Sequence, residues 1–365
     1  MYDLVIIGAG PAGLMAARTL PNNISFILID KKKEIGKPLC CGEGIRRNGF
    51  VKLFGSDNYG FIRNSVNEHE VIYKDIRRRF KASYLELDRE KFEKFLADGI
   101  ADKINLNTKC DDIVINKNCV EVITNKGRIK AKIAILAYGC DFRIQRKYSM
   151  IAKCPRLLLC YGGICKNYGF DKNKFYAYFD ERYAGYFWIF PKNENEANIG
   201  FATVVRKTNV KDIFNLIAKK ITPKLRMVSE YSGVVPCSGP IDKTYSNRLL
   251  VCGDSAGFVY AGTGEGIYFA LESGRIAAET AKEAIIRNRF DKDFLAKYEK
   301  KWKSSFGKLM EAGLIFYDLQ GLAFRKGLVK ELFTLPKDEE IEGMIIKGDV
   351  PLKAKLVWHL ARLVK

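Results

Sequence analysis

Residues 5–14 read Val-Ile-Ile-Gly-Ala-Gly-Pro-Ala-Gly-Leu, and this stretch decides the fold of the chain. The apolar run from Leu4 to Ile7 is too short for a free helix and predicts a buried parallel strand. A glycine-rich turn follows the run directly, and a helical stretch follows the turn. This order of strand, turn and helix is typical of the first unit of a dinucleotide-binding fold.

The three glycines of this turn have different physical tasks. Gly8 permits the tight turn, Gly10 leaves room for a phosphate, and Gly13 lets the helix lie close to the strand. Unpaired amides and the positive end of the helix dipole then face a pyrophosphate. A second apolar run, residues 24–29, ends at Asp30, where a carboxylate typically binds ribose hydroxyls. These residues predict a dinucleotide and leave FAD and NAD open.

A second glycine motif lies near the other end of the chain. Gly253-Asp254 follows residues 248–252, which predict a short buried strand, and a carboxylate at this point suits the ribityl chain of a flavin. Residues 262–267, Gly-Thr-Gly-Glu-Gly-Ile, then open a helix. Their bare backbone, at Gly264 above all, can approach the pyrimidine edge of a flavin. A nicotinamide enzyme needs only the first motif, so the pair predicts FAD.

Composition limits the class of protein. A chain of 365 residues allows two or three domains with a substantial core. No apolar run approaches the ~20 residues that span a bilayer, and the N-terminus has no signal-peptide pattern. We therefore expect a cytoplasmic location. The ten cysteines and two histidines match no metal-binding spacing, so we expect no metal site.

The formal net charge of +20 indicates an anionic partner. Because no nucleic-acid motif accompanies this charge, we expect an anionic membrane surface and no nucleic acid. A lysine-rich surface kept for solubility is the alternative. Residues 351–365 add a short basic amphipathic segment, in which Leu352, Leu356, Leu360 and Leu363 share a face near Trp358. This segment suits either a membrane interface or packing on its own domain.

The pattern between the two glycine motifs changes twice. Residues 112–137 predict a β-meander with turns at 116–118 and 125–127. Alternating, aromatic-rich segments then predict an antiparallel sheet interrupted by a helix at 210–220. The predicted strands of this sheet are 156–165, 175–179, 186–190 and 197–204.

We expect an α/β (α+β) fold with a Rossmann-like FAD-binding domain, an inserted antiparallel-sheet substrate domain and a helical C-terminal region. The expected FAD-binding domain is discontinuous and comprises residues 1–62, 80–154 and 241–288. The expected substrate domain comprises residues 63–79 with 155–240, and the helical region comprises residues 289–365.

Three further strings complete a resemblance. Residues 38–44 read Pro-Leu-Cys-Cys-Gly-Glu-Gly, residues 87–92 read Leu-Asp-Arg-Glu-Lys-Phe, and residues 186–191 read Tyr-Phe-Trp-Ile-Phe-Pro. With both glycine motifs, the chain resembles the geranylgeranyl reductase family, within the flavoproteins shaped like p-hydroxybenzoate hydroxylase. The resemblance extends from residue 1 to about residue 285, and the first and third strings are its specific parts.

The resemblance implies FAD and a set of residues that hold it. Cys110 enters this set by position alone, through a backbone contact with adenine. The implied residues are Ala12, Asp30, Cys41, Gly42, Gly44, Arg89, Cys110, Asp254, Gly266 and Ile267.

The resemblance also implies a reaction, the saturation of isolated double bonds in geranylgeranyl chains. The archaeal branch acts on digeranylgeranylglycerol phospholipids, and the photosynthetic branch acts on the chlorophyll side chain. Residues 41–44 are closer to the archaeal type, and residues 263–270 are closer to the photosynthetic type. Tyr186, Trp188 and Phe190 would wall an apolar channel beside the flavin. Cys41 would supply or relay a proton through its thiol, or have only a steric or backbone role beside the isoalloxazine.

Several alternatives stay open at this point. The sequence contains no second Rossmann unit, so the electron donor is NAD(P)H, ferredoxin or another external carrier. A same-fold enzyme that acts on a quinone or chlorophyll tail, and a flavin monooxygenase, share the motifs. A basic membrane- or nucleic-acid-binding protein with a vestigial nucleotide fold is the alternative from a different class. The leading expectation is a peripherally membrane-associated reductase of isoprenoid lipids.

Overall fold

The computed structural model describes residues 1–204 and 209–363, with side chains described up to residue 360. Within these residues, sixteen strands form two eight-stranded sheets. The strands are β1 Tyr2–Ile7, β2 Phe26–Ile29, β3 Gly44–Arg46, β4 Ile62–Tyr73, β5 Ile76–Leu87, β6 Ile104–Asn105, β7 Cys110–Ile115, β8 Val120–Thr124, β9 Gly127–Leu136, β10 Leu157–Lys166, β11 Lys174–Phe179, β12 Gly185–Pro191, β13 Glu196–Thr203, β14 Arg226–Pro236, β15 Tyr245–Ser246 and β16 Leu249–Val251.

Helices cover both sheets. The α-helices are α1 Pro11–Thr19, α2 Arg47–Phe54, α3 Arg89–Ala97, α4 Arg143–Lys147, α5 Val210–Ile221, α6 Ile267–Ile286, α7 Lys292–Trp302, α8 Lys308–Lys326, α9 Val329–Thr334, α10 Asp338–Glu342 and α11 Leu352–Leu363. The other helical segments are 3₁₀ turns at Ala101–Lys103 and Gly253–Ala256 and π-helical turns at Lys303–Gly307 and Gly343–Lys347.

The first sheet carries both glycine motifs. Its core is parallel, in the order β16-β9-β1-β2-β6, and β7 and β8 join it as an antiparallel meander on β9. Strand β1 is buried because it lies between β2 and β9 with helices packed on the sheet. The predicted strand at Leu4–Ile7 and the predicted meander are confirmed. The carboxyl ends of β1 and β16 meet at one edge, where ligands bind in folds of this kind.

The second sheet has the order β14-β10-β13-β12-β11-β4-β5-β3. Its four predicted strands are confirmed, and they correspond to β10 through β13. Two of its features were not predicted. Strand β14 is a mostly exposed edge strand whose polar residues conceal the pattern, and β11 pairs with β4 in parallel, which no local signal reveals.

The division of the chain into three domains stays a prediction. Strand β5, at residues 76–87, lies wholly in the second sheet, as does β3 at residues 44–46. Sheet membership does not by itself define independently folding units. The two predicted boundaries near residues 62 and 80 therefore await a direct test of domain folding.

The C-terminal helices close one side of the second sheet. Tyr73 of the sheet stacks on Phe333 of α9, with ring centroids 5.1 Å apart, in a cluster that includes Phe179 and Val329. The Arg78 guanidinium donates to the backbone oxygen of Pro336 at 2.7 Å and fixes the loop after α9. No helix in the described part of the chain is both long and apolar enough to cross a bilayer.

Candidate active site

The glycine-rich turn between β1 and α1 borders a cavity of about 350 Å³ at the edge of the first sheet. Gly8 has φ +108°, and a Cβ there would lie 2.3 Å from the Ala137 oxygen. A Cβ on Gly13 would lie 1.8 Å from the Gly8 oxygen, so only glycine allows α1 to approach the turn. Space around Gly10 is open for 4 Å, and this residue faces the cavity.

Asp30 is fixed at the rim of this cavity by the backbone. One carboxylate oxygen accepts from the Ala9 N–H at 2.6 Å, and the other accepts from the Lys32 N–H at 2.7 Å. A carboxylate offers about four acceptor positions, so each oxygen can accept one further donor. The Asp30 carboxylate, which we predict to bind a ribose, therefore lies beside the glycine-rich turn and can accept further hydrogen bonds.

The second glycine motif touches the first. A Cβ on Gly253 would lie 3.0 Å from the Cβ of Ala12. Asp254 lines the same cavity, and one of its carboxylate oxygens lies 3.5 Å from the position of a Gly266 Cβ. Burial raises the pKa of Asp254, and the Arg89 guanidinium opposes the shift. Two segments that are more than 200 residues apart in the sequence therefore form one cavity.

All but two of the predicted cofactor residues line this first cavity. The exceptions are Gly13, which lies behind the turn, and Gly44, which lines a neighbouring cavity against Phe175. The residues brought together are Gly8, Gly10, Ala12, Asp30, Cys41, Gly42, Arg89, Cys110, Gly253, Asp254, Gly264, Gly266 and Ile267.

The neighbouring cavity has a volume of about 570 Å³ and mostly apolar walls. Tyr186, Trp188 and Phe190 alternate along β12 and all line this cavity, and their role as a substrate wall stays a prediction. Phe190 stacks on Phe175 with centroids 4.3 Å apart. Gly200 makes space for the indole, because a Cβ there would lie 2.2 Å from a ring carbon of Trp188. The second cavity is therefore shaped by aromatic rings on β12 and by the single glycine, Gly200, on the neighbouring strand β13.

The loop of residues 40–44 separates the two cavities, and Cys41 lines both. The side-chain amide of Asn198 donates to the Cys41 oxygen at 2.7 Å and to Glu43 Oε2 at 3.0 Å. Asn198 Oδ1 accepts from Trp188 Nε1 at 3.0 Å and from the Tyr231 hydroxyl at 2.9 Å. The Glu43 N–H donates to the Cys41 Sγ at 3.2 Å. The thiol therefore has a fixed position at the junction.

A buried ion pair supports this loop from below. Glu43 has φ 65°, in the left-handed region that most residues avoid, and its carboxylate lies 2.7 Å from Lys192 Nζ. The ammonium also donates to the Leu87 oxygen at 2.7 Å. Burial raises the pKa of Glu86 well above its ordinary value, although Lys192 opposes the shift from 4.0 Å. This shift favours the neutral form of Glu86, and the shorter distance shows that Lys192 pairs with Glu43.

Sequence reasoning missed this network. Lys192 follows the Tyr-x-Trp-x-Phe-Pro string directly, and Glu43 lies inside the Pro…Gly-Glu-Gly string, so both were visible as neighbours of motifs. Their pairing joins the end of β12 to the loop of residues 40–44, almost 150 residues earlier in the chain. No local sequence pattern predicts such a contact. Asn198 carried no signal that reasoning from one sequence can use.

A second buried group lies beneath the apolar cavity. Arg46 Nε donates to Glu265 Oε1 at 2.7 Å, and the Tyr84 hydroxyl donates to Glu265 Oε2 at 3.0 Å. His69 lies between Tyr84 and Phe175, with ring centroids 4.7 and 5.4 Å away. Burial lowers the pKa of His69 to about 4, although Glu265 opposes the shift. The imidazole is therefore neutral in the wall of the cavity, and no sequence motif points to it.

Two solved structures share this fold. The chain superposes on a geranylgeranyl bacteriochlorophyll reductase-like protein from Thermoplasma acidophilum with a TM-score of 0.82 and 23% identity, over 98% of this chain and 95% of that one. It superposes on a flavin-dependent brominase with a TM-score of 0.71 and 15% identity, over 99% and 98% of the two chains. The chain therefore has the same two-sheet α/β fold as these two proteins.

Sequence comparison gives the family. The family described as geranylgeranyl reductase catalytic domain matches residues 157–235. The digeranylgeranylglycerophospholipid reductase of Methanocaldococcus jannaschii is 31% identical, over 95% of this chain and 93% of the relative. Digeranylgeranylglycerophospholipid reductase 1 of Methanococcoides burtonii is 29% identical, over 100% and 92%. The chain belongs to the geranylgeranyl reductase family, a flavin-dependent family, and it is an oxidoreductase.

The Lys192–Glu43 pair makes a testable contribution to stability. We expect Lys192→Met to lower the free energy of unfolding by about 3 kcal/mol, because it leaves a buried carboxylate unpaired. Adding Glu43→Gln in the same chain should recover most of the loss, since the remaining groups are neutral. Denaturant unfolding of both single variants and the double variant measures the coupling. Losses that simply add would contradict a paired role.

His69 should make stability depend on pH. Its pKa is 6.5 in an ordinary setting and about 4 in the fold, so the unfolded chain takes up a proton first as the pH falls. Relative to a His69→Phe variant, the protein should lose about 3 kcal/mol of unfolding free energy between pH 6.5 and pH 4. Urea unfolding at several pH values gives this difference. A difference that stays constant across that range would show that the imidazole is not buried in its neutral form.

Proposed function

We propose that this protein is an FAD-dependent reductase that saturates C=C bonds of geranylgeranyl chains in archaeal-type membrane phospholipid precursors. One observation carries the proposal: a cavity bordered by both glycine motifs adjoins an aromatic-walled apolar cavity, and Cys41 lines both. Relatives along the whole chain that are named digeranylgeranylglycerophospholipid reductases support the substrate class.

The residues of the first cavity fit FAD. The space at Gly10 lies before the first turn of α1, where unbonded amides face the cavity and attract a pyrophosphate. Asp30 suits the ribose and Asp254 suits the ribityl chain. The bare backbone at Gly264 and Gly266 lets a flat ring approach the start of α6. Bound and reduced, FAD supplies a hydride for an alkene carbon.

The protein's own residues orient the alkene and manage the proton. An unactivated alkene has no polar group that the protein could bind, so Trp188 and Phe190 orient the chain by shape and exclude water. The alkene carbon that does not receive the hydride needs a proton, and Cys41 Sγ lies at the junction where one can be delivered. The Glu43 N–H and Asn198 hold the thiol in place. A steric role for Cys41 is the competing explanation.

Electrons come from outside the protein. The described residues form one parallel dinucleotide-binding sheet, so NAD(P)H, ferredoxin or another carrier must reduce the flavin from solution. The substrate is a membrane lipid and the chain carries a net charge of +20, which supports a cytoplasmic protein associated peripherally with an anionic membrane.

The reaction class is tested by mass spectrometry. Chemically reduced holoenzyme incubated without oxygen with digeranylgeranylglycerol phospholipid should add one pair of hydrogens per saturated double bond. Parallel incubations with a prenylated quinone and with geranylgeranylated chlorophyll test the other isoprenoids. Hydroxylated product in air with NAD(P)H would indicate a monooxygenase. Unchanged lipid after incubation with the flavin-loaded, reduced enzyme would refute the proposal.

The role of Cys41 is tested by substitution. We expect Cys41→Ala and Cys41→Ser to retain FAD and to lose alkene reduction by about 100-fold or more, in the range of general acid catalysis. Cys154→Ala, which removes an exposed thiol that lines neither cavity, is the matched control and should keep its activity. Full activity in both Cys41 variants would remove this thiol from the mechanism and leave the reaction class standing.

A further inference from the structure

The exposed apolar side chains of this protein are concentrated near its C-terminus. Of the thirteen large hydrophobic side chains exposed within the described residues, seven lie between residues 328 and 360. We call these seven the C-terminal apolar face. Its members are Leu328, Leu335, Ile346, Leu352, Leu356, Val357 and Leu360. Such a concentration is unusual on a protein surface that contacts only water.

Three members of this face lie where the second cavity reaches the surface. Leu328, Leu335 and Val357 are exposed to solvent and at the same time line the cavity. Pro351, directly before α11, and Ala354, in the first turn of α11, also line the cavity. The apolar surface of the interior therefore continues without interruption onto the exterior at this place.

Helix α11 presents one side to this exterior and the other to the protein. Leu352, Leu356 and Leu360 are spaced by four residues, so they form one row, and they are 73%, 54% and 62% exposed. Trp358 lies on another side and donates from Nε1 to Asp318 Oδ2 of α8 at 2.9 Å. The helix thus packs on its own domain through one side and leaves a row of leucines uncovered. Leu363, predicted for the same row, lies beyond the described side chains.

The charge of this segment matches an anionic surface. Residues 351–365 contain four basic residues, Lys353, Lys355, Arg362 and Lys365, and no acidic residue. A short helix with an apolar row flanked by basic side chains is typical of segments that lie in the interface of anionic bilayers.

We propose that the C-terminal apolar face docks on an anionic lipid bilayer and holds the mouth of the second cavity against the acyl region. A geranylgeranyl chain then moves sideways from the bilayer into the cavity without crossing water. A second copy of this chain fits less well as the occupant, because it would close the mouth through which the lipid must enter. The inference rests on the proposed function only for the identity of the lipid that enters.

The test uses the full-length holoenzyme and sedimented vesicles of phosphatidylglycerol and phosphatidylcholine. The variant Leu352→Gln/Leu356→Gln/Leu360→Gln changes the row without touching the residues that line the cavity. The matched control is Leu216→Gln/Val228→Gln/Ile286→Gln, three side chains of similar exposure outside the face. We expect the first variant to lose vesicle partitioning by more than tenfold and the control to keep it. Wild-type partitioning should fall with added salt and with vesicles of phosphatidylcholine alone.

Melting temperature and FAD content show that each variant is folded. Reduction of a detergent-dispersed lipid should be the same in both variants and the wild type, because detergent replaces the bilayer. Equal vesicle partitioning of both variants, or no partitioning of the wild type, would overturn the docking proposal. A shift from dimer to monomer in sedimentation velocity without a change in partitioning would overturn it in favour of self-association. If no protein reduces the detergent-dispersed lipid while vesicle partitioning follows the expectation, the proposed reaction is refuted and the docking surface is supported.

Discussion

The close packing of α6 on α1 is the constraint on which the rest of the structure depends. A Cβ on Gly274 would lie 2.1 Å from the Ala12 oxygen, and one on Gly253 would lie 3.0 Å from the Ala12 Cβ. Only glycine permits these approaches, and they bring the last strand of the parallel sheet against the first turn of the chain. The result is a cavity formed by residues from both ends of the sequence, which a nicotinamide-binding unit alone would not form.

The loop of residues 40–44 lies between this cavity and the second one. Its position is set by buried polar groups, since Asn198 and Lys192 reach it from the second sheet. Buried hydrogen bonds and ion pairs of this kind fix one geometry because a misplaced partner leaves a desolvated charge. The proposed reaction needs a reduced flavin, an apolar chain and a proton source close together, and Cys41 lines both cavities.

The sequence was sufficient where the signal is local. The turn at Gly8–Gly13, the meander of β7 to β9 and the aromatic alternation of β12 each depend on residues that are neighbours in the chain. It was insufficient where the partners are distant: the parallel pairing of β4 with β11, the edge strand β14, and the contacts of Lys192 and His69. Pairing between distant residues leaves no periodic pattern and no motif spacing in the sequence, so only the folded structure reveals it.

A crystal structure of the protein with FAD tests the central claim most directly. The account predicts one FAD molecule in contact with both glycine motifs, with its pyrophosphate at Gly10, its ribityl chain at Asp254 and its ring beside Cys41. FAD bound away from one of the two motifs, or a protein that takes up no FAD at saturating concentration, would contradict the account.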